Sequence, residues 1–222
     1  MNILALDTAS TILSVALSSG DGIRYIEADA GLKHSEILME MVDTLMRAAS
    51  LESRDLELAA CMRGPGSFTG LRIGFAAAKG LAAALGIPLV SVPTLDCMAA
   101  PHAVWPGVVI PAMDAKKQRF FTALYRGNER LSGYMDAEPG DIAAAVTAAA
   151  GPILLTGPDA PLLLGRLEAL LGKKRLFLDP AFRHGKAREL LAYAEQSSLA
   201  GKVDTASSGP EYLRKSDAEL RR

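Results

Sequence analysis

Histidine and cysteine are scarce in this chain, aromatic residues make up only 5% of it, and neither sign of charge dominates. Each shortage excludes something. The histidines are His34, His102 and His184, far apart in sequence. No two have the i, i+3 or i, i+4 spacing that sets two metal ligands on one helix face. Cys61 and Cys97 stand in apolar surroundings with no metal-ligand spacing and no disulfide framework, which fits a reducing cytosol. With 24 basic against 25 acidic side chains, an RNA binder built mainly on bulk positive charge is excluded. The opening Met1-Asn2-Ile3-Leu4-Ala5-Leu6-Asp7 has no basic segment and no cleavage site, so no signal peptide is expected. The longest apolar runs, near 75–85 and 142–150, are alanine-rich and too short to span a bilayer. The expectation is a soluble, cytoplasmic protein with no membrane contact.

What is present is apolar material for two cores. Half of the 222 residues are apolar, and the length suits two lobes of about 100 residues each. Residues 1–103 carry 7 basic and 11 acidic side chains, whereas 104–222 carry 17 and 14. That asymmetry either steers a partner or decorates a surface. Strands are expected at 2–7, 12–18 and 23–28, separated by turn residues such as Ser19-Gly20-Asp21-Gly22. A helix at 34–49, a strand at 58–62 and a helix at 67–85 follow, the last stopped by Gly86 with Pro88 beyond. Strand 88–91 and a helix at 94–100 complete this half.

The second half repeats the order. Strands are expected at 107–113, 118–126 and 131–135, with Gly127-Asn128 as a hairpin turn. Helix 139–150, strand 152–156, helix 160–171, strand 175–178 and helix 186–200 follow. Three strands and then alternating helix and strand, twice over, define two α/β lobes of the ribonuclease-H-like kind. Each is βββαβα-based, and they pair as in actin, Hsp70 and sugar kinases. The boundary is set at 103/104, with the last helix a candidate to return to the first lobe. Such lobes host many unrelated activities, so function has to come from sites.

The segment Arg63-Gly64-Pro65-Gly66-Ser67-Phe68-Thr69-Gly70-Leu71-Arg72-Ile73-Gly74 follows a strand and opens a helix, a context that can hold an anion. Its glycines are one residue off the dinucleotide fingerprint, Pro65 removes a donor, and no Gly-Lys-Ser/Thr follows. Ser67 is not in a Gly-x-Ser-x-Gly elbow and reads as an N-cap. Gly70 and Gly74 share one helix face, each costing roughly 1 kcal/mol relative to alanine, so close approach to a neighbouring helix is the simplest reason for both. Packing and anion binding both remain open.

At roughly 100° per residue, the apolar residues of helix 34–49 cover about half its circumference, more than the stripe needed to pack on its own core. The surplus is rich in methionine, which adapts to shared contacts. Either the core is generous or the helix joins its Gly70/Gly74 neighbour in an interface, for which Leu38, Met41, Leu45, Gly70, Ile73, Gly74 and Ala77 are the candidates. Asp7, with Thr8, lies at the end of the first strand, where actin-like kinases hold Mg²⁺; alternatively both bind the turn backbone. Asp7, Thr8 and Ser67 are thus weak candidates for ligand binding, and no catalytic or metal set is assigned. Basic knots occur at 116–119, 173–175, 183–186 and Arg221-Arg222, with aromatic company only at the first; solvated loops are expected.

Ile3-Leu4-Ala5-Leu6-Asp7-Thr8, Lys33-His34-Ser35-Glu36-Ile37-Leu38, the whole glycine segment, Lys79-Gly80-Leu81-Ala82 and Pro93-Thr94-Leu95 resemble the TsaB (YeaZ) family of tRNA threonylcarbamoyladenosine biosynthesis proteins. Pro111-Ala112-Met113-Asp114-Ala115, Gly157-Pro158-Asp159-Ala160 and Pro210-Glu211-Tyr212-Leu213-Arg214 extend the likeness more loosely. The resemblance implies a non-catalytic scaffold that pairs with the transferase TsaD through the two helices after the first three strands, recruits the ATPase TsaE, and forms homodimers when alone. It implies ATP or ADP and metal on the partner subunits, none on this chain, and tRNA reached only indirectly. TsaD holds its metal with two histidines four apart; the matching positions here are Thr94 and Met98, a poor pair for a hard metal. The alternative is a self-sufficient actin-fold ATPase or transferase, or a glycoprotease-like peptidase, although no peptidase constellation is visible.

Overall fold

The computed structural model describes residues 1–214; the Arg221-Arg222 knot lies outside them. The chain divides into two compact units. One comprises Met1–Cys97 with Gly185–Glu211, the other Met98–His184 with the chain from Tyr212. The first break therefore falls six residues before the expected 103/104. Cys97 is fully buried in the first unit, whereas the sulfur of Met98 lies where a side chain on Gly157 of the second unit would meet it.

In the first unit, β1 (Ile3–Asp7), β2 (Ile12–Ser19) and β3 (Gly22–Asp29) form an antiparallel meander. Strands β4 (Leu58–Gly64) and β5 (Leu89–Pro93) extend it in parallel, giving the order β3-β2-β1-β4-β5. Helices α1 (His34–Ala48) and α2 (Phe68–Leu85) cover one face, packing on Leu4, Leu6, Val15, Leu17 and Cys61. On the opposite face, alternation places Ala5, Ala16 and Ala60, which sit in register across β2, β1 and β4. These three small residues make a shallow floor against which α6 (Ala187–Leu199) packs with Ala187, Leu190, Leu191 and Ala194. A sheet buried on both faces explains why β1 is apolar at every position but its last.

Helix α2 ends where Gly86 adopts a left-handed φ of 67°. Among the described residues it is the helix long and apolar enough to cross a membrane. Its ends are nonetheless tied to β4 and β5, parallel neighbours in one sheet, which makes it a crossover helix.

The second unit is built on β6 (Val108–Asp114), flanked by β7 (Phe120–Thr122) with β10 (Met135–Ala137) on one side. On the other side lie β11 (Ile153–Thr156) and β12 (Leu176–Leu178). Helices α4 (Pro139–Thr147) and α5 (Ala160–Leu171) supply Ile142, Val146, Leu163 and Leu167 to its core. The strand expected at 118–126 is interrupted between β7 and β8 (Tyr125–Arg126). Its register against β6 is the same on both sides of the gap, which puts Ala123 opposite Pro111. A proline donates nothing to the ladder, so the pairing lapses there. Gly127, at φ 58°, turns the chain from β8 into β9 (Glu129–Arg130).

Candidate functional site

The glycine segment is filled by its own chain. Ser67 caps α2 by accepting the Gly70 N–H at 3.2 Å, and the Ser67 N–H is itself taken by the Ala9 carbonyl at 2.8 Å. Thr8 donates its hydroxyl to the Gly70 carbonyl at 2.8 Å. A Cβ on Gly66 would stand 2.6 Å from the Ala9 carbonyl; one on Gly70 would overlap the Thr8 carbonyl, and one on Gly74 the Thr8 hydroxyl. The glycines thus admit the turn after β1, not a neighbouring helix as the spacing suggested. The spacing tells which helix face is small but not what approaches it. From the other side, the Glu211 N–H donates to the Arg63 carbonyl at 2.8 Å, and Gly64 leaves room for the Glu211 carbonyl. The geometry favours packing over anion binding.

Asp7 is equally committed. Its Oδ1 accepts the Ala9 N–H at 3.0 Å and its Oδ2 the Lys186 N–H at 2.8 Å. The next donors along are held too: Gly185 N–H by Glu27 Oε2 at 3.0 Å and Ala187 N–H by Ser14 Oγ at 3.2 Å. Three successive donors at the start of α6 are therefore satisfied by β3, β1 and β2 in place of a local cap. Burial pushes the Asp7 carboxyl above its ordinary value, opposed by the two backbone donors and the Lys186 charge. Asp7 thus serves the backbone, the second of the two readings open at sequence level. Lys186, expected in a solvated knot, is buried against this cluster because α6 returns to the first sheet.

The seven interface candidates separate by burial. Leu38, Met41, Leu45, Gly70 and Gly74 are buried within the first unit, while Ile73 and Ala77 remain partly exposed. The wide stripe on α1 is largely spent on its own sheet. What it leaves open is Met39 of α1, which shares a groove with Leu81, and on α2 a stripe of Ile73, Ala76, Ala77, Gly80, Leu81 and Ala84. Beside it lies a groove of about 510 Å³ lined by Met39, Val42, Met46, Leu51, Leu56 and Leu81, with Asp43, Arg47, Glu52, Ser53 and Arg54 at the polar positions.

Thr94 and Met98, the positions matching the TsaD histidines, are both buried on α3 (Thr94–Ala99). Both cysteines are buried, and burial raises their thiols far above the range in which a thiolate forms at neutral pH. No cluster of three metal-ligating side chains occurs among the described residues. His34 is buried, with Nε2 2.8 Å from the Ser10 carbonyl. His102, expected to be solvated, instead lies 3.1 Å from the buried carboxylate of Asp179, which also accepts the Thr156 hydroxyl at 2.7 Å. Sequence reasoning missed this pairing because the partners are 77 positions apart with no shared motif.

These two sheets with their helices define an actin-like α/β protein. A glucomannokinase from Arthrobacter shares the fold, with a TM-score of 0.52 over 90% of this chain and 99% of its own at 9% identity. YeaZ from Pseudomonas aeruginosa matches far better, with a TM-score of 0.81, 26% identity, and coverage of 96% of this chain and 99% of its own. The pattern of TsaD, tRNA N6-adenosine threonylcarbamoyltransferase, matches residues 26–159. The Bacillus subtilis tRNA threonylcarbamoyladenosine biosynthesis protein TsaB is 30% identical over all of this chain and 97% of its own length. The chain belongs to the TsaB family.

Proposed function

We propose that this protein takes part in tRNA threonylcarbamoyladenosine biosynthesis as a non-catalytic subunit that binds a TsaD-type transferase through α1 and α2. The observation that carries the reading is the open apolar strip on those helices: α2 shows solvent a run of Ile73, Ala76, Ala77, Gly80, Leu81 and Ala84 on its outer side. Small residues there allow a partner helix to approach closely, and Met39, 48% exposed, can adapt to it. The same strip serves a second copy of the chain when no transferase is present, and the assembled pair recruits TsaE. The buried Thr94 and Met98 and the self-satisfied Asp7 and glycine segment support a subunit without its own chemistry, with nucleotide and metal on the partners and a cytoplasmic setting.

The test is co-purification with the transferase. Ile73→Asp and Ala77→Asp place a charge on the strip; an unpaired charge buried at an interface costs about 3–5 kcal/mol, so both variants should lose the partner while remaining folded, with an unfolding transition lowered only by the partial packing of these positions on the core. Retention of the transferase by either folded variant would reject the assignment. Turnover of ATP or a peptide by the purified chain, abolished by Asp7→Ala, would favour the enzyme reading instead.

A further inference from the structure

The two outer strands of the first sheet are treated differently. β3 carries Arg24, Glu27 and Asp29, charges of the kind that keep an edge from pairing with another chain. β5, at the opposite edge, reads Leu89-Val90-Ser91-Val92-Pro93 and carries none. The Ala59 N–H donates to the Pro88 carbonyl at 3.1 Å, so the backbone groups of Val90 face β4. Those of Leu89 and Ser91 therefore point outward, away from the sheet.

Asp204 sits on that edge. Its N–H donates to the Leu89 carbonyl at 2.8 Å, and its carboxylate accepts the Ser91 N–H. In a parallel ladder, a residue of the next strand gives its N–H to one residue and takes an N–H from the residue two further on. Asp204 does both around Val90, with a side-chain oxygen in place of its own carbonyl. The Ser91 hydroxyl adds a bond to the other carboxylate oxygen at 3.1 Å. One residue thus stands where a sixth strand would begin.

The cover is lightly held. Val203, Thr205, Ala206 and Ser207 are exposed. Further ties are the Lys79 ammonium on the Ser208 carbonyl at 2.7 Å and the Glu211 N–H on the Arg63 carbonyl at 2.8 Å. A segment that buries so little apolar surface opens at a fraction of the free energy of global unfolding.

We propose that residues 202–211 are a detachable guard on the β5 edge, and that their release lets β5 pair antiparallel with β5 of a second copy of the chain. The symmetry of the edge selects this occupant. Across a two-fold axis at Val90, Leu89 of one copy faces Ser91 of the other, and each such pair exchanges N–H and C=O bonds. Every outward group of the two residues finds a partner, and no charge is buried. The contact uses the sheet edge and is independent of the strip on α1 and α2.

The test uses the full chain carrying Ile73→Asp, so that association through the helices does not mask the edge. Adding Asp204→Ala should speed hydrogen exchange at the Ser91 amide about tenfold or more, and sedimentation should show a dimer that grows with protein concentration. Asp204→Asn keeps a carbonyl acceptor for the Ser91 N–H and should stay in the parent's oligomeric state. Ser91→Pro, combined with Asp204→Ala, removes the outward N–H at an edge where proline is tolerated and should abolish the new dimer. Lys79→Met frees the Ser208 carbonyl without touching the edge; it should also speed exchange at Ser91, and it carries the test if Asp204→Ala does not fold. Unchanged exchange at Ser91 in the folded variants overturns the guard. Faster exchange without added association, or a dimer that survives Ser91→Pro, overturns the pairing. Each variant is scored against its own parent, so a dimer already present in the Ile73→Asp chain counts against the helix strip alone.

Discussion

The carboxylate of Asp7 accepts the backbone N–H of Lys186 at 2.8 Å, across 179 positions of sequence. A negative group at the first turn of a helix also meets the positive end of its dipole. The first strand and the last helix of the first unit are thereby joined.

Asp7 gives a stability signature with an unusual sign. Because burial raises its carboxyl above 3.8, the folded chain holds that proton more tightly than the unfolded chain does. Asp7 therefore favours folding most at pH below 3.8, and its contribution declines as pH rises through the raised value. The difference in unfolding free energy between wild type and Asp7→Asn, from urea melts at pH 4 and pH 7, should shift in favour of the variant at pH 7. A shift the other way would mean that the Lys186 charge and the two backbone donors outweigh burial.

The glycines of α2 should respond in opposite directions. Gly70→Ala and Gly74→Ala drive a methyl into Thr8, and overpacking of this kind costs about 1–3 kcal/mol. Thr8 cannot turn aside without breaking its bond to the Gly70 carbonyl. Gly80 has open space where a methyl would go, so Gly80→Ala should gain up to about 1 kcal/mol of helix propensity. Thermal denaturation of the three variants decides between packing and any uniform effect of glycine.

Leu45 and Ile73 should come apart under mutation although both are apolar and belong to the same pair of helices. Leu45 is 3% exposed, and truncation to alanine should cost about 2–5 kcal/mol in a chemical denaturation series. Ile73→Ala, on the partly open side, should cost less than half as much. Equal losses would mean that the α2 strip is core rather than surface.

Asp204 fastens the segment that follows α6. It accepts from the Ser91 N–H and from the Ser91 hydroxyl, the latter at 3.1 Å, while its own N–H donates to the Leu89 carbonyl at 2.8 Å. Lys79 holds the same segment through the Ser208 carbonyl at 2.7 Å. Asp204→Ala should cost about 1–3 kcal/mol through the donors left unpaired. Limited proteolysis should then cut between 200 and 211 sooner than in the wild type; an unchanged cleavage rate would show that the segment is held by other means.

Much of the architecture was readable because local chemistry and periodicity agreed. Ser67 as N-cap, Gly86 as terminator and Gly127-Asn128 as hairpin turn are all where the residue types put them. The helix stripe was readable in width but not in destination: which part of α1 is spent on the sheet depends on the tilt of the helix, which no single helix encodes, so Leu38, Met41 and Leu45 pointed to an interface yet lie in the core. The segment from 202 to 211 has no periodicity and is held by isolated hydrogen bonds, so apart from the Pro210-Glu211 motif nothing in its sequence marked how it packs. Lys116–Gln118 was hidden for the reverse reason. Its residue types argue against the conformation it adopts, and only the closed backbone reveals the turn.

The first unit is built from two stretches of chain with residues 98–184 of the second unit inserted between them, and the second unit resumes at Tyr212. As the protein emerges from the ribosome, residues 1–97 must wait for 185–211 with the alanine floor of their sheet still bare. The inserted 98–184 meanwhile has its sheet and both its helices in hand and can fold on arrival. A nascent chain stalled before Leu190 is therefore expected to leave the alanine floor of the first sheet uncovered.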